Sequence, residues 1–507
     1  MQEQENNQKE HPDLYKRSIK GGYWVIFTRI AITVLGFGKT LFIANYFRLN
    51  DLGIISAAVM MMEILSTFTQ TGFESALIQK KGDAREYLDT AWTAGIIKGI
   101  VLFLILFFAA PLMASFKIPE EKVPLAIGVF RAMSVCFLIG GFRNIGSIYF
   151  SKNLEFHKTF ALSITSTLTD IVLSIGLILI FQNIWGVIIA RLITACVNCG
   201  VSYILSSYRP KLHFIPAKAR ELWKFGRWIF GANILGYILE AGDDYFVWFY
   251  LGIQPLALYR YAFKFAMMPT TNITHVISQV SFPAYSKIQD DKPRLQKAYL
   301  KVLQLTAFFS VPVAFLIFVL GPDFVRLMKP HLYPMIPALQ VLAVVGLITS
   351  IGSVIGPVLK ATETLRPVLY LQWVRIILLA TLIYPLTKTW GIVGTASAIA
   401  ATRVLMYFPG LYYASRIMNC SMTKMNQPLL LPLIASVVMS LAVVSIKMFV
   451  LKSNNYITFS LEVLLAFMLY SVSIWVMDSI FDMGVRSVIK EQFSGFFKEK
   501  TLNLRSN

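Results

Sequence analysis

Charged residues inside apolar runs are the places where this sequence can do chemistry. An ionisable side chain near the centre of a bilayer costs roughly 2.5–3.5 kcal/mol on insertion scales, so it normally faces protein or a watery cavity. The run "YILEAGDDYFVWFYLG" at 237–252 holds Glu240, Asp243 and Asp244, and the next run holds Arg260 and Lys264. Other apolar runs carry Arg29, Lys39, Glu63, Arg131, Arg143, Asp170, Arg191, Arg375 and Arg403. Bases outnumber acids in this set, so the chemistry on offer is anion binding. Arginine can fork two N–H groups onto one phosphate, and lysine adds a compact point charge.

Spacing sorts these residues further. Arg260 and Lys264 stand four apart and share a helix face. Glu240 and Asp244 are likewise one turn apart, whereas Asp243 lies about 100° round from Asp244. The candidate cationic site is Arg29, Lys39, Arg131, Arg260, Lys264 and Arg375, and its candidate carboxylates are Glu63, Asp170, Glu240 and Asp244. Arg143 and Arg191 read rather as interfacial anchors or packing residues. Three roles stay open for Asp244: pairing with Arg or Lys, taking up H⁺ or Na⁺, and marking a local helix break in "EAGDD".

No other chemistry is signalled. Cys196-x-x-Cys199 lies in the apolar stretch "VIIARLITACVNCGVSYIL" without a second pair or a nearby histidine, so it reads as small residues packing a membrane helix. The five histidines are scattered, and no HExxH, P-loop, GxGxxG or GxSxG context occurs. The sequence therefore gives no reason to expect an enzyme, a metal site or a cofactor.

The elements that must hold these charges are membrane helices. The chain has 507 residues, of which 56% are hydrophobic and only 15% charged, whereas a soluble protein carries about 25% charged residues. Runs of about 20 apolar residues, enough to cross a bilayer as helix, recur throughout. Reading them against polar breaks predicts an all-α polytopic membrane protein of about fourteen spans. They lie near 21–46, 51–72, 89–113, 124–147, 158–181, 184–206, 226–251, 255–283, 299–320, 335–359, 366–387, 390–414, 428–451 and 456–480. The first twenty residues lack the apolar core of a cleavable signal, so the first span is expected to start insertion.

Lys and Arg concentrate in alternate connections, which predicts cytoplasmic termini. The net charge of +20 then reads as topology signal and attraction to anionic lipid, not nucleic-acid binding. The basic connector 207–225 divides a six-helix bundle at 21–206 from a second at 226–415. Two added helices occupy 428–481, flanked by cytoplasmic tails at 1–20 and 482–507. The turn "YFRLNDLGIISAA" is echoed by "FYLGIQPLALYRYA", with Gly53 and Ala257 in matching places, which suggests a parallel repeat.

Four stretches in order, "LNDLGIISAAVMMMEILSTFTQTGFESALIQKK", "SKNLEFHKTFALSI", "DDYFVWFYLGIQPLALYRYAF" and "SQVSFPAYSKIQDDKPRLQKAY", resemble the polysaccharide-exporter, or O-antigen-flippase-like, branch of the multidrug/oligosaccharidyl-lipid/polysaccharide flippase superfamily. The resemblance covers roughly residues 20 to 415. It implies two six-helix bundles around a central cavity lined by spans 1, 2, 7 and 8. It also implies a polyprenyl-pyrophosphate-linked oligosaccharide flipped outward across a bacterial cytoplasmic membrane by alternating access. Asp244 matches an acid that recurs in the family's span 7. Ala257 and Arg260 depart from the family's usual glycine and small or polar residue, and the aromatics of "YFVWFY" replace its aliphatics.

The implied partners are the lipid-linked oligosaccharide, membrane lipids and polysaccharide polymerase machinery. Coupling to H⁺ or Na⁺ stays open. The alternatives are a drug/cation antiporter of the same superfamily, whose cavity should be acid-dominated, and a flippase for the peptidoglycan lipid precursor. A membrane-embedded glycosyltransferase would need a large outward loop with paired acids, and the longest outward connection, near 321–334, is short.

Overall fold

The computed structural model describes residues 28, 31–68, 73, 77, 85–152, 155–362, 365–449 and 455–481. Arg29 and the tails 1–20 and 482–507 lie outside the described residues. Every regular element among the described residues is a helix. Within a bilayer that is the expected solution, because an α-helix satisfies its backbone polar groups internally. Residues 31–46 form α1. It is followed by α2 (Leu49–Phe68), α3 (Arg85–Ala114), α4 (Val123–Gly141), α5 (Phe156–Phe181) and α6 (Trp185–Leu205). Next come α7 (Pro216–Leu251), α8 (Ile253–Ser286), α9 (Lys292–Arg326) and α10 (Ile336–Gly352). The stretch Leu365–Met418 breaks at Gly391 into α11 (365–390) and α12 (392–418), and α13 (Leu430–Phe449) and α14 (Tyr456–Phe481) complete the series.

Ten helices among the described residues are long and apolar enough to cross a membrane. The expected fourteen differ from these ten at four places. The segment Tyr370–Met418 is one continuous stretch holding two of the expected spans. The first expected span is only partly described. Those at 226–251 and 255–283 fall in α7 and α8, whose polar residues dilute the apolar run. On the outer faces, large apolar side chains such as Phe108, Ile180 and Ile204 are exposed, which suits lipid as the surrounding solvent. The protein is a multi-pass membrane protein.

The chain folds as two compact units, Met1–Arg260 and Tyr261–Asn507. Contacts therefore place their boundary inside α8, whereas the basic connector at 207–225 lies within the first unit. In that unit α3 packs along α4, α5 along α6, α4 against α6, and α7 against α2 and α3. α7 ends at Gly252, whose φ of 105° is a conformation that side chains rarely adopt. α8 starts at the very next residue. Its first turn presses onto α2 at Gly53, where an added Cβ would meet Ile253 at 2.5 Å. This close approach sets the start of α8 beside α2, and with it Arg260 beside Glu63.

In the second unit α9 packs on α10 and α13, and α13 packs on α14. Leu295, Tyr299, Leu303, Ala307 and Val311 recur every fourth residue along α9 and are buried. Leu431, Ala435, Met439 and Val443 make the matching buried stripe on α13, against Ala466, Tyr470 and Ile474 of α14. Lys447 of α13 pairs with the buried Asp323 of α9. The opposite face of α14, with Leu464, Met468 and Trp475, is exposed.

Candidate functional site

The first unit carries an open cavity of about 1060 Å³ lined by residues of α1 through α7. One wall follows directly from sequence spacing. On α6, Arg191, Thr194, Asn198 and Ser202 are separated by three, four and four residues, so they share a face over about 16 Å. The first three of them line the cavity. Facing them on α5 are Ser166, Thr167 and Asp170, which also line it. Asn198 Nδ2 donates to Ser166 Oγ at 2.6 Å, tying the two helices.

The charged end of the cavity is built by three helices. Lys39 of α1 donates from Nζ to Asp170 Oδ2 at 2.6 Å. Arg191 Nη1 lies 3.7 Å from the same oxygen, an ionic contact beyond hydrogen-bond reach. Lys39 and Asp170 are mostly buried, at 13% and 16% side-chain exposure, whereas Arg191 is 46% exposed. Lys98 of α3 and Arg143, just past the end of α4, line the cavity as well. Among the described lining residues the charge is thus carried by Lys39, Lys98, Arg143 and Arg191 against Asp170 alone.

Next to Asn144, which lines the cavity, the connector is tied down residue by residue. Asn144 accepts from the Gly146 N–H, its own N–H donates to Ser202 Oγ, and its Nδ2 donates to the Tyr208 carbonyl at 2.8 Å. Tyr208 donates its hydroxyl to Asp89, and the Lys211 N–H donates to the same Asp89 oxygen at 2.7 Å. Burial, then the Asp89 carboxylate, push the Tyr208 hydroxyl well above the ordinary tyrosine range. The His213 N–H donates to Thr93 Oγ1 at 3.1 Å, and Lys218 pairs with Glu86. Trp92, one residue before Thr93, lines the cavity and donates Nε1 to the Phe142 carbonyl at 3.4 Å.

A second charge cluster lies where α2, α7 and the first turns of α8 meet. Arg260 Nη2 reaches both Glu63 oxygens, at 3.1 and 3.4 Å, while its Nη1 lies 3.6 Å from Asp244 Oδ2 and 3.5 Å from the Ser56 carbonyl. Beside it, Tyr245 donates to the Met60 carbonyl at 2.8 Å and sits 3.1 Å from the Tyr237 hydroxyl. Asp243 faces elsewhere: it is buried and accepts from the Tyr259 hydroxyl at 2.5 Å. α7 runs unbroken through "EAGDD", so these acids mark no helix break.

The expected site residues are therefore distributed among several places. Lys39 and Asp170 meet in the cavity, and Glu63, Asp244 and Arg260 meet in the second cluster. Arg131 stacks on Phe107 at 4.7 Å and donates Nε to its carbonyl, which makes it an α3–α4 contact. Glu240 and Lys264 are exposed, and Arg375 is partly buried on α11 in the second unit. Arg143 and Arg191, read from sequence as anchors, line the cavity, as do Lys98, Trp92 and Asn198, which the sequence reading passed over. The three-four-four polar spacing on α6 is the signal that marks Arg191 and Asn198 as one face.

Known proteins match this chain in sequence and in fold. The lipopolysaccharide biosynthesis protein WzxC of Escherichia coli (strain K12) is 24% identical over 355 residues, covering 69% of this chain and 70% of that protein. The teichuronic acid biosynthesis protein TuaB of Bacillus subtilis (strain 168) is 21% identical over 437 residues, covering 85% and 89%. Among solved structures, lipid II flippase MurJ in an inward closed conformation superposes with a TM-score of 0.75 at 18% identity, covering 91% of this chain and 99% of that one. At that identity the match shows the fold. The sequence profile that matches residues 43–330 is that of the polysaccharide biosynthesis protein family, and the match spans more than half of the chain; the chain belongs to that family.

Proposed function

We propose that this protein moves a polyprenyl-pyrophosphate-linked oligosaccharide, the repeat unit of a polysaccharide, across the bacterial cytoplasmic membrane. The observation that carries the reading is the charge of the cavity: among its described lining residues, Lys39, Lys98, Arg143 and Arg191 stand against a single carboxylate, Asp170. A water-filled pocket in low-dielectric surroundings strengthens such a field and favours an anionic headgroup. The hydroxyl and amide wall of Ser166, Thr167, Thr194 and Asn198 supplies donors and acceptors suited to sugar hydroxyls. The names of the relatives agree: two are biosynthesis proteins for lipopolysaccharide and teichuronic acid, and MurJ is named a lipid II flippase.

In this reading both termini face the cytoplasm, the cavity opens in turn to each side, and the lipid tail stays in the bilayer. Nothing covalent is made or broken, so neither a catalytic residue nor a cofactor is required. Moving net negative charge outward is favoured by an inside-negative potential, by about 2.3 kcal/mol per charge for each 100 mV. An organic-cation antiporter would need a cavity dominated by free carboxylates, and among the described lining residues the one carboxylate, Asp170, has two cations beside it.

The test is translocation by the purified full-length chain in liposomes. A polyprenyl-pyrophosphate disaccharide with a headgroup label becomes accessible to an impermeant quencher only when it is flipped. Flipping of this lipid, with no movement of a cationic dye, is the expected result. Dye movement without lipid flipping would replace the reading with an antiporter.

A further inference from the structure

The Lys39–Asp170–Arg191 cluster is built asymmetrically. Asp170 meets both cations through Oδ2 alone, by a 2.6 Å hydrogen bond from Lys39 and a 3.7 Å ionic contact with Arg191. Its other oxygen, Oδ1, is buried and has no hydrogen-bond partner among the described residues. The Arg191 guanidinium is 46% exposed, lines the cavity, and donates no hydrogen bond to protein among the described residues. A pair retained only for packing would satisfy both carboxylate oxygens and bury both cations. Here one carboxylate offsets one of two positive charges, and the forked donors of Arg191 point at the cavity uncommitted.

We propose that Asp170 is a resident substitute for the phosphate of the transported headgroup, and that binding is an exchange of anions. This rests on the pyrophosphate reading above and adds to it a mechanism of capture and release. The incoming pyrophosphate first meets Arg191, whose fork suits two phosphate oxygens. It then takes Lys39 from Asp170, because its two negative charges match the two cations better than one carboxylate does. When Asp170 returns to Lys39, it competes with the bound headgroup and speeds release. The exchange trades binding strength for turnover, since a site that keeps its ligand too tightly cannot cycle.

Equilibrium binding to the purified full-length chain tests this, with three probes: a polyprenyl pyrophosphate bearing one N-acetylhexosamine, inorganic pyrophosphate, and phosphatidylglycerol. Asp170→Asn is expected to bind the two pyrophosphate probes about tenfold more tightly than wild type, while flipping of the lipid in liposomes slows. Arg191→Ala in the same chain should remove that gain. Should Asp170→Asn not fold, the neutral pair Lys39→Gln with Asp170→Asn is compared with Lys39→Gln alone, and the pair should bind more tightly. A gain confined to phosphatidylglycerol would overturn the exchange and make the cluster a site for bilayer phosphates. If the wild type flips the lipid yet Asp170→Asn binds no more tightly, the exchange fails and the substrate reading stands. If the wild type binds neither pyrophosphate probe, both fall.

Discussion

The two charge clusters of the first unit use the same kinds of side chain in opposite proportion. Around Asp170, one carboxylate is shared by two cations, and one of those cations is half exposed to a cavity. Around Arg260, one guanidinium is shared by two carboxylates and a backbone carbonyl, and it is mostly buried. The first arrangement leaves positive charge over, beside a cavity; in the second the carboxylates outnumber the cation. Composition alone does not separate a binding site from a clamp. What separates them is the ratio of donors to acceptors at the point of contact, together with whether the excess group faces space.

By that distinction Arg260 matters chiefly for folding. Arg260→Ala would leave Glu63 and Asp244 facing each other across a vacated site. Breaking a fully buried pair costs about 3–5 kcal/mol, and the 44% exposure of Glu63 should reduce this to about 2 kcal/mol. Thermal unfolding of the purified chain in detergent would read the loss, and Arg260→Lys should recover part of it. A variant that is as stable as wild type but does not flip lipid would break the comparison, because Arg260 would then belong to the transport chemistry.

Arg191 should behave in the reverse way. Its ionic contact at 3.7 Å is half exposed, so Arg191→Ala is expected to change stability by no more than about 0.5 kcal/mol. Flipping should nevertheless fall about tenfold, the loss that accompanies roughly 1.4 kcal/mol of missing interaction with the headgroup. A stability loss as large as that of Arg260→Ala would make Arg191 a clamp instead.

Helical class and the positions of most spans were legible because apolar length is imposed by the bilayer and written locally. The order of the quoted stretches was equally legible, since each is a continuous run of the chain. The cavity was not. Lys39 lies 131 residues from Asp170, and no local spacing shows that α1 and α5 bring them together. Arg191 looked like an anchor because a lone arginine in an apolar run has the same signature whether it snorkels or faces water. The same holds for Arg131, a candidate for the cavity whose guanidinium instead rests on Phe107. Asp243 was set apart from Asp244 by helix geometry, and that inference survives: the two acids point to different partners, Tyr259 and Arg260.

The smallest effect is expected at Asn198, where the comparison can be made sharper. Its amide donates to Ser166 Oγ at 2.6 Å between α5 and α6, on the cavity wall that carries Asp170 and Arg191. Asn198→Ala removes one neutral hydrogen bond, worth about 1 kcal/mol, and Ser166 can still donate to the Leu162 carbonyl. Unfolding should therefore shift only slightly. The sugar, not the phosphate, should notice the change: binding of a glycosylated polyprenyl pyrophosphate should weaken severalfold, while binding of inorganic pyrophosphate stays at the wild-type level. Equal weakening of both probes would mean that Asn198 acts by holding α5 against α6 and thus placing Asp170. The polar wall would then belong to the charged end of the cavity and not to a separate sugar-facing surface.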